Sequence, residues 1–431
     1  EAGPLLAAAG DCGRLVVAEE VCASGCIGGR ILAAAGGQAG FKCRLLNLGE
    51  GLTNESGAAV RRVSATEIEG MKLLGTFCYN PQAVFPVYFV MRVSKRPAAT
   101  GFWKKQPPKQ GVEAEWDKDA GNYKLYTQYG KDIAGDDVGV WFSYDMQPGE
   151  QVEVRMGVSF VSAENARLNL EAEQQGRSFD DIRAAARRTW NDDLGRIRVE
   201  GGTEAQKKVF YTGLYHALIH PNVLSDVNGE YPAMESAEIR TAEGNRYTVF
   251  SLWDTYRNLH QLLTLVYPER QLEMVRSMVG MYREWGWLPK WELYVRETVT
   301  MEGHPSIPVI VDTWMKGLRD FDMDAAYEAM RKSATTPGAR NRMRPDIDPY
   351  IEKGYVPLGF YARDLSGDNS VSHALEYYIA DHALSLLADS LGKKDDAALF
   401  RARSLGYKNY YSTESGTFRP ITKEGKFLTP F

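Results

Sequence analysis

The stretch that decides the fold is "FSLWDTYRNLHQLLTLVYPERQLEMVRSMV", residues 250–279. Its apolar residues recur at helical spacing, and Pro268 divides it, because proline is tolerated in the first turn of a helix and disfavoured in the interior. The pattern predicts one helix from Ser251 to Val266 and a second from Pro268 to about Trp285, with Gly286 as its C-cap. This part of the chain is therefore predicted to be helical.

The same pattern continues on both sides of this stretch. Further helices are predicted over residues 203–220, with Thr203 as the N-cap, and over residues 306–321, 324–333, 372–391 and 395–411. No strands are predicted beyond residue 200. Such a run of helices fits a helical toroid around a central cavity or a helical solenoid, and the lack of a fixed-period repeat favours the toroid.

The preceding part of the chain has the pattern of strands. The segments "PVYFVMRVS", "NYKLYTQYG", "VGVWFSYDM" and "QVEVRMGVSFVS" alternate apolar and polar residues between turn signals. They predict an antiparallel β-sandwich over residues 41–165, incomplete at its N-terminal side. Residues 166–200 are predicted to be polar linker helices, with Ser178 as a cap, and residues 201–431 to form the helical domain.

Residues 1–40 differ from the rest in composition. They are rich in Ala and Gly and contain no aromatic residue, which is typical of a flexible leader or of an off-frame or truncated gene product. All five cysteines lie within residues 12–78, and their odd number does not indicate a disulfide framework. The chain contains no signal peptide and does not start with Met, so a removed signal peptide, and hence secretion, is left open.

Composition limits the class of protein. The chain of 431 residues has 44% hydrophobic and 25% charged residues, as expected of a globular protein of two domains. Its net charge of −5, with both signs interspersed, argues against nucleic acid as a partner. No apolar run reaches the roughly 18 residues needed to span a membrane.

Metal-binding motifs are weak. His216 and His220 have the spacing of a zinc protease helix, but Ala217 stands where that motif needs Glu, so both histidines are predicted to serve packing or hydrogen bonding. The acidic residues Asp322 and Asp324 lack the glycine of a calcium-binding hand and are predicted to be helix caps.

Two polar stretches suggest a ligand site. Asp254 and Arg257 fall one helical turn apart, either as an intrahelical ion pair or facing a shared polar pocket. The segment "EWGWLPKWELYVRETVTMEGHPSIPVIVDTW" brings Glu297 and His304 together with several tryptophans in a loop punctuated by Gly and Pro. Carboxylates and aromatic rings together suit a sugar, whose hydroxyls and C–H faces they recognise.

Several blocks of the chain, among them "FSLWDTYRNLHQLLTL", "GWLPKWEL", "ETVTMEGHPSIPVIVDTWMKG" and "LEYYIADHALSLLADSLG", resemble glycoside hydrolase family 92, the calcium-dependent inverting exo-α-mannosidases. The resemblance runs from about Asn47 to Phe431. It implies a β-sandwich followed by an (α/α)6 toroid, and a mannose site. The substrate-binding residues that it implies are Trp253, Asp254, Glu297 and His304, and Arg257 is added as a candidate because it lies one helical turn from Asp254. One departure is Ala380 before Asp381, where family members often carry two adjacent aspartates.

The resemblance also implies a function. It implies removal of terminal α-linked mannose from mannose-rich glycans such as N-glycans, by a bacterial periplasmic or secreted enzyme that uses Ca²⁺. The family's catalytic acid and base, and most of its calcium ligands, are expected downstream of Phe431. No catalytic or metal residue is therefore predicted in this chain, which alone should lack normal activity. Its expected partners are a mannose-containing oligosaccharide and the missing C-terminal part of the same protein.

Three alternatives to a mannosidase are kept open. The first is a non-catalytic glycan-binding protein, which would need the aromatic loop but no acid and base. The second is another carbohydrate-active enzyme built on a helical toroid, such as a polysaccharide lyase or an α-glucosidase. The net charge of −5 disfavours a lyase that acts on polyuronates. The third is a structural helical scaffold. The linkage preference does not follow from the sequence.

Overall fold

The computed structural model describes residues 57–75, 84–105, 138–338, 340–360 and 369–430, and short strands elsewhere. These residues divide into two compact units. The β unit comprises the described residues of Glu1–Phe77, Val84–Asp193 and Asp226–Glu230. The helical unit comprises those of Cys78–Ala83, Leu194–Ser225 and Tyr231–Phe431. The predicted Ala/Gly-rich leader, residues 1–40, lies outside the described residues except for one short strand.

The β unit is built mainly from antiparallel sheets. Its strands are β1 Arg14–Val16, β2 Lys42–Arg44, β3 Ala58–Arg62, β4 Glu67–Gly75, β5 Val84–Val93, β6 Ala99–Lys105, β7 Trp116–Asp117, β8 Asn122–Tyr123, β9 Leu125–Tyr129, β10 Ile133–Gly135, β11 Val138–Ser143 and β12 Val154–Ser159. A five-stranded sheet has the order β10-β3-β4-β5-β12, and a three-stranded sheet has the order β11-β6-β9, whereas the short strands β1 and β2 pair in parallel. Side chains of both sheets form one apolar core, which includes Ile68, Met91, Phe102 and Phe142. The predicted antiparallel sandwich is confirmed.

The two helices of the β unit are α1 Ala163–Gln174 and α2 Phe179–Leu194. Helix α1 lies against strand β12, where a Cβ at Gly157 would stand 2.1 Å from the Ala166 carbonyl oxygen. The alternation of apolar and polar residues in β12 predicts a half-buried strand with one apolar face. Val152 and Met156 of that face pack against the apolar core, Val154 and Val158 are exposed, and helix α1 covers the opposite face at Gly157. Ser178 caps α2, as predicted, by accepting the Asp181 N–H.

A short loop, Asp226–Glu230, belongs to the β unit although it is distant in sequence. The buried Asp226 carboxylate accepts hydrogen bonds from Ser159 Oγ at 2.6 Å, Asn165 Nδ2 at 2.8 Å and Asn169 Nδ2 at 2.6 Å. Asn165 Nδ2 also donates to Glu230. Each buried amide is thereby satisfied, which fixes the loop.

The helical unit has nine described α-helices. They are α3 Glu204–Ala217, α4 Leu252–Thr255, α5 Leu259–Val266, α6 Pro268–Trp285, α7 Ser306–Met315, α8 Met323–Thr335, α9 Ile347–Lys353, α10 Ser370–Ser390 and α11 Lys394–Ser404, and a 3₁₀ helix covers Leu405–Tyr410. Its short strands are β13 Asn222–Val223, β14 Glu230–Pro232, β15 Ile239–Thr241, β16 Tyr247–Thr248, β17 Phe250–Ser251, β18 Trp291–Leu293, β19 Arg296–Glu297, β20 Ala362–Arg363, β21 Gly367–Asp368, β22 Tyr411–Ser412 and β23 Thr417–Phe418. The prediction of no strands beyond residue 200 is wrong, because the loops between helices pair locally.

The helix caps were well predicted. Thr203 forms a capping box with Gln206, Asp322 accepts the Ala325 N–H, and Gly286 ends α6 in the left-handed conformation with φ 90°. The continuous helix predicted from Ser251 to Val266 is wrong, since the chain breaks into α4 and α5 around Asn258, whose φ is −155°. Within the described residues, no helix combines the length and apolar character that crossing a membrane requires.

Candidate functional site

Short helix α4 presents an acidic and an aromatic side chain together. Asp254 is exposed and Trp253 is half-buried. The hydrogen bonds of Asp254 fall on Oδ2, which accepts from Ser251 Oγ and from the Trp291 indole Nε1 at 3.4 Å. Its other oxygen is therefore available to a ligand, beside the Trp291 indole that contacts the carboxylate and next in sequence to Trp253.

A strained hairpin carries Trp291. Strand β17 pairs with β18, with Ser251 opposite Trp291, and β18 pairs with β19, with Glu292 opposite Glu297. The two residues that join β18 to β19, Tyr294 and Val295, have φ of 46° and 63°. These are the signs of a type I′ turn, which normally needs Asn or Gly, and a β-branched residue in this region is strained. Strain of this kind concentrates at functional sites.

The buried carboxylate of Glu292 holds this strained backbone. Glu292 is 0% exposed and accepts hydrogen bonds from Thr248 Oγ1 at 2.6 Å, from Val295 N at 2.5 Å and from Val249 N at 3.0 Å. Val249 also has a positive φ, 65°. The side chain thus satisfies the N–H groups of two strained valines, and burial raises its pKa to about 7.

The buried carboxylate of Glu297 likewise accepts hydrogen bonds from backbone N–H groups, here from residues at the start of strand β18 and after strand β19. Its carboxylate is 0% exposed and accepts from the backbone N–H groups of Lys290 at 2.8 Å, Trp291 at 3.0 Å and Val299 at 2.8 Å. Val299 is a further residue with positive φ, 54°. Burial raises the pKa of Glu297. The carboxylate therefore fixes the backbone on which the Trp291 indole stands.

Arg257 does not form an ion pair with Asp254. Its Nη2 donates instead to Glu376 Oε1 on α10 at 2.9 Å. Its guanidinium lies 4.9 Å from the Trp253 ring centroid and 4.8 Å from that of Tyr256. Both distances are within the range of a cation–π interaction. Arg257 is therefore held by helix α10 next to the Trp253 ring.

His304 lies in a buried polar network of the helical unit. It is 1% exposed, and its Nδ1 is 2.8 Å from Ser333 Oγ. Burial and the charges of Arg344 and Lys290 hold its pKa well below the ordinary histidine value. His304 is thus neutral at physiological pH and offers hydrogen bonding rather than charge.

The same network contains a fully buried ion pair. Arg344 Nη1 donates to Asp381 Oδ1 at 2.7 Å, and both side chains are 0% exposed. Tyr350 donates to the other carboxylate oxygen of Asp381 at 2.8 Å. The nearby Asp346 accepts from Tyr377 at 2.6 Å, and burial raises its pKa. These residues form the polar interior behind His304.

The described residues include no group of three or more His, Cys, Asp or Glu side chains arranged to hold a metal ion. The carboxylates of Glu292 and Glu297 are occupied by backbone N–H groups, so they are not placed as calcium ligands. A calcium site does not fit the described part of the chain on its own.

Comparison with known proteins identifies the family of this chain. The family model described as the glycosyl hydrolase family 92 catalytic domain matches residues 165–431, and the model of the family's N-terminal domain matches residues 36–159. The chain belongs to glycosyl hydrolase family 92. Both matches together cover the β unit and the helical unit.

Solved structures of two family 92 mannosidases are similar to this chain. A family 92 α-mannosidase from Bacteroides thetaiotaomicron is 31% identical, with a TM-score of 0.75, and the match covers 87% of this chain and 47% of that one. The same mannosidase has been solved in complex with mannoimidazole. A family 92 inverting mannosidase from B. thetaiotaomicron VPI-5482 is 27% identical, with a TM-score of 0.76, and the match covers 87% and 48%. The predicted fold class, a β-sandwich followed by an (α/α)6 toroid, is confirmed.

A curated relative is also similar. It is an uncharacterized secreted glycosidase of Arthroderma benhamiae, 26% identical over 277 residues, which make up 62% of this chain and 31% of that protein. The chain spans about half the length of the family 92 structures it matches.

The predicted site residues of this family 92 chain fall into two groups. Trp253, Asp254 and Arg257 lie together on the exposed turn. Glu297 and His304 are 0% and 1% exposed, so each would reach a ligand only if the loop around it moved. Sugar binding by all five stays a prediction. Glu376 is not among the predicted site residues, because its contacts with the turn join residues about 120 positions apart.

The stability of this family 92 chain is expected to depend on Glu292 ionisation. Because burial raises its pKa from 4.5 to about 7, the stability it contributes is complete below pH 4.5 and is lost as the pH rises through 7. The loss amounts to up to about 3 kcal/mol of unfolding free energy. Urea unfolding between pH 5 and pH 8, with Glu292→Gln beside the wild type, measures it.

The wild type is compared with Glu292→Gln because His260 also changes the stability with pH. Its burial lowers its pKa from 6.5 to about 4, so its contribution rises between those pH values and masks the fall due to Glu292. The difference between wild type and Glu292→Gln removes this shared term. The exposed Glu204→Gln, 84% exposed, is the control and should track the wild type. Parallel pH curves for wild type and Glu292→Gln would contradict the prediction.

Proposed function

We propose that the protein removes terminal α-linked mannose from mannose-rich glycans. The observation that carries the proposal is the exposed Asp254 carboxylate, which follows Trp253 in the sequence and accepts a hydrogen bond from the Trp291 indole on a backbone held by two buried glutamates. A carboxylate accepts hydrogen bonds from vicinal hydroxyls, and indole faces pack against the C–H face of a sugar ring. Membership in family 92 and likeness to solved mannosidases support this substrate class.

The residues of this chain would bind and orient the terminal sugar. Asp254 would accept hydrogen bonds from sugar hydroxyl groups through its free oxygen. Trp253 and Trp291 would exclude water from the faces of the sugar ring. Glu292 and Glu297 would keep the Trp291 backbone in place before the sugar arrives, so less ordering is left for the binding step.

The proposed reaction inverts the anomeric centre. In such enzymes one carboxylic acid protonates the leaving oxygen and a second carboxylate activates water, with the two groups roughly 6.5 to 9.5 Å apart. We predict that both groups belong to chain outside residues 1–431, and that most calcium ligands do too. The described residues do not fit a calcium site, so the calcium that would bind the sugar hydroxyl oxygens is assigned to other parts of the protein.

We also propose that the protein acts outside the cytoplasm, in the periplasm or as a secreted enzyme. A curated relative is described as a secreted glycosidase. Mannose-rich glycans are too large to be expected as cytoplasmic substrates without prior uptake. Fractionation of the producing cells, followed by immunoblotting, would test this location.

Two alternative functions remain to be separated from mannosidase activity. A glycan-binding protein would use the same Asp254 surface without turnover, and another helical-toroid enzyme would act on a different sugar. No feature of the described residues favours either over a mannosidase, and the family match favours the mannosidase.

The proposal is tested with the natural full-length gene product. It is incubated with α-1,2-, α-1,3- and α-1,6-mannobiose, with an α-glucobiose and with a polyuronate, and the products are followed by NMR. Release of β-mannose only, abolished by a chelator and restored by Ca²⁺, is the expected result. Mannobiose binding without release would instead favour the glycan-binding protein, and release of glucose or an unsaturated uronate would favour another toroid enzyme.

A further inference from the structure

We infer that Glu376 on α10 is a positioning residue, which sets the orientation of the Trp253 indole and the Asp254 carboxylate through Tyr256 and Arg257. We call Tyr256, Arg257 and Glu376 the carboxylate clamp. The inference deepens the proposed function and rests on it for the effect on sugar binding.

The clamp joins two distant parts of the chain through one carboxylate. Glu376 Oε2 accepts the Tyr256 hydroxyl at 2.7 Å, and its Oε1 accepts Arg257 Nη2 at 2.9 Å. The Glu376 side chain is only 13% exposed. Two consecutive residues of the turn after Asp254 are thereby fixed to α10. A charge-assisted hydrogen bond to a largely buried carboxylate is stronger than one between neutral groups.

The guanidinium of Arg257 connects the clamp to the sugar surface. It contacts two rings, at 4.9 Å from the centroid of Trp253 and 4.8 Å from that of Tyr256. Arg257 itself is 46% exposed, so without Glu376 its guanidinium would be free to turn toward water and leave the indole. Glu376 therefore determines whether the cation stays against Trp253.

The loop that carries Gly303 holds Glu376 from another side. A Cβ built on Gly303 would stand 2.5 Å from the Cβ of Glu376, and Gly303 has φ +74°. Glycine is needed there for both reasons, since any side chain would displace Glu376. The close approach leaves Glu376 little freedom to adopt another rotamer.

Tyr256 is suited to its part in the clamp. Burial, helped by its bond to Glu376, raises the pKa of the Tyr256 hydroxyl above its ordinary value. The hydroxyl therefore remains protonated and donates at every physiological pH. Glu376, as the common acceptor, is the member whose change affects both neighbours at once.

The first test is steady-state kinetics of the full-length protein on the α-mannobiose it prefers. Glu376→Gln, which keeps the size and removes the charge, is expected to raise KM about tenfold and to change kcat by less than about threefold. Arg257→Gln should have the same effect. If Glu376 acts through Arg257, the variant with both substitutions should have a KM no higher than that of either single variant.

Asp389→Asn is the matched control, because it removes an exposed carboxylate from the same helix α10. It should leave KM and kcat unchanged. Multiplied effects in the double variant would overturn the inference, as would a Glu376→Gln variant with unchanged KM. An equal loss of kcat and of folded protein would also overturn it, since that is the result of a purely structural role.

A second readout does not depend on activity. The near-ultraviolet circular dichroism of the wild type minus that of Trp253→Phe gives the band of the Trp253 indole. Glu376→Gln is expected to lose this band, and Asp389→Asn to keep it. A wild type that releases no mannose would disprove the proposed function alone, whereas a retained band in Glu376→Gln would disprove the clamp. Should Glu376→Gln not fold, Tyr256→Phe gives the same test with a smaller, roughly threefold, rise in KM.

Discussion

Asp254→Asn should lower kcat/KM for α-mannosides at least about a hundredfold, and it should leave the unfolding free energy within about 0.5 kcal/mol of the wild type. The exposed carboxylate accepts from Ser251 and Trp291 through one oxygen, and the amide can keep those contacts. The substitution then puts an NH₂ donor where the second oxygen would accept a sugar hydroxyl. Asp254→Asn therefore weakens binding of the sugar and leaves the stability of the fold unchanged.

Kinetics of the full-length protein and urea unfolding measure the two halves of this prediction. Asp320→Asn is the control, because Asp320 is 86% exposed and pairs with Arg276. It should match the wild type in both measurements. If Asp254→Asn kept more than a third of the wild-type kcat/KM, Asp254 would not contact the sugar in the way proposed here.

Local signals in the sequence predicted most of the helical unit. Caps such as Thr203, Asp322 and Gly286 act within one turn, so a short stretch of sequence contains the whole interaction. Apolar periodicity located the helices, whereas their ends shifted by a few residues. The break between α4 and α5 was missed because no glycine or proline marks it, and the contact of Arg257 with Glu376 that accompanies it is distant in sequence.

The candidate site was predicted in part. The turn with Trp253 and Asp254 was found from its residue types and from the family resemblance. The hairpin that supports it was missed, because Tyr294 and Val295 are not residues that normally adopt positive φ. Their conformation depends on the buried carboxylate of Glu292, which the sequence alone does not reveal as buried. The predicted domain boundaries and the predicted calcium site stay predictions.

The buried ion pair between Arg344 and Asp381 carries the second large expected effect. Asp381→Asn should reduce the unfolding free energy by about 3 to 5 kcal/mol, because it leaves the Arg344 charge buried without its counter-charge. Arginine does not lose its proton at any accessible pH, so the charge cannot be relieved. The Tyr377 ring, 4.8 Å away, the Tyr350 ring and the more distant charge of Asp346 would give partial compensation. Urea unfolding of the full-length protein measures the change.

A double replacement separates the buried charge from simple loss of packing. Arg344→Met with Asp381→Leu removes both charges and fills similar volume, so it should be less destabilised than Asp381→Asn alone, since apolar replacement of a buried pair is often neutral. Asp389→Asn, on the same helix but exposed, should cost less than about 0.5 kcal/mol. If Asp381→Asn cost less than about 1 kcal/mol, Arg344 would have another counter-charge.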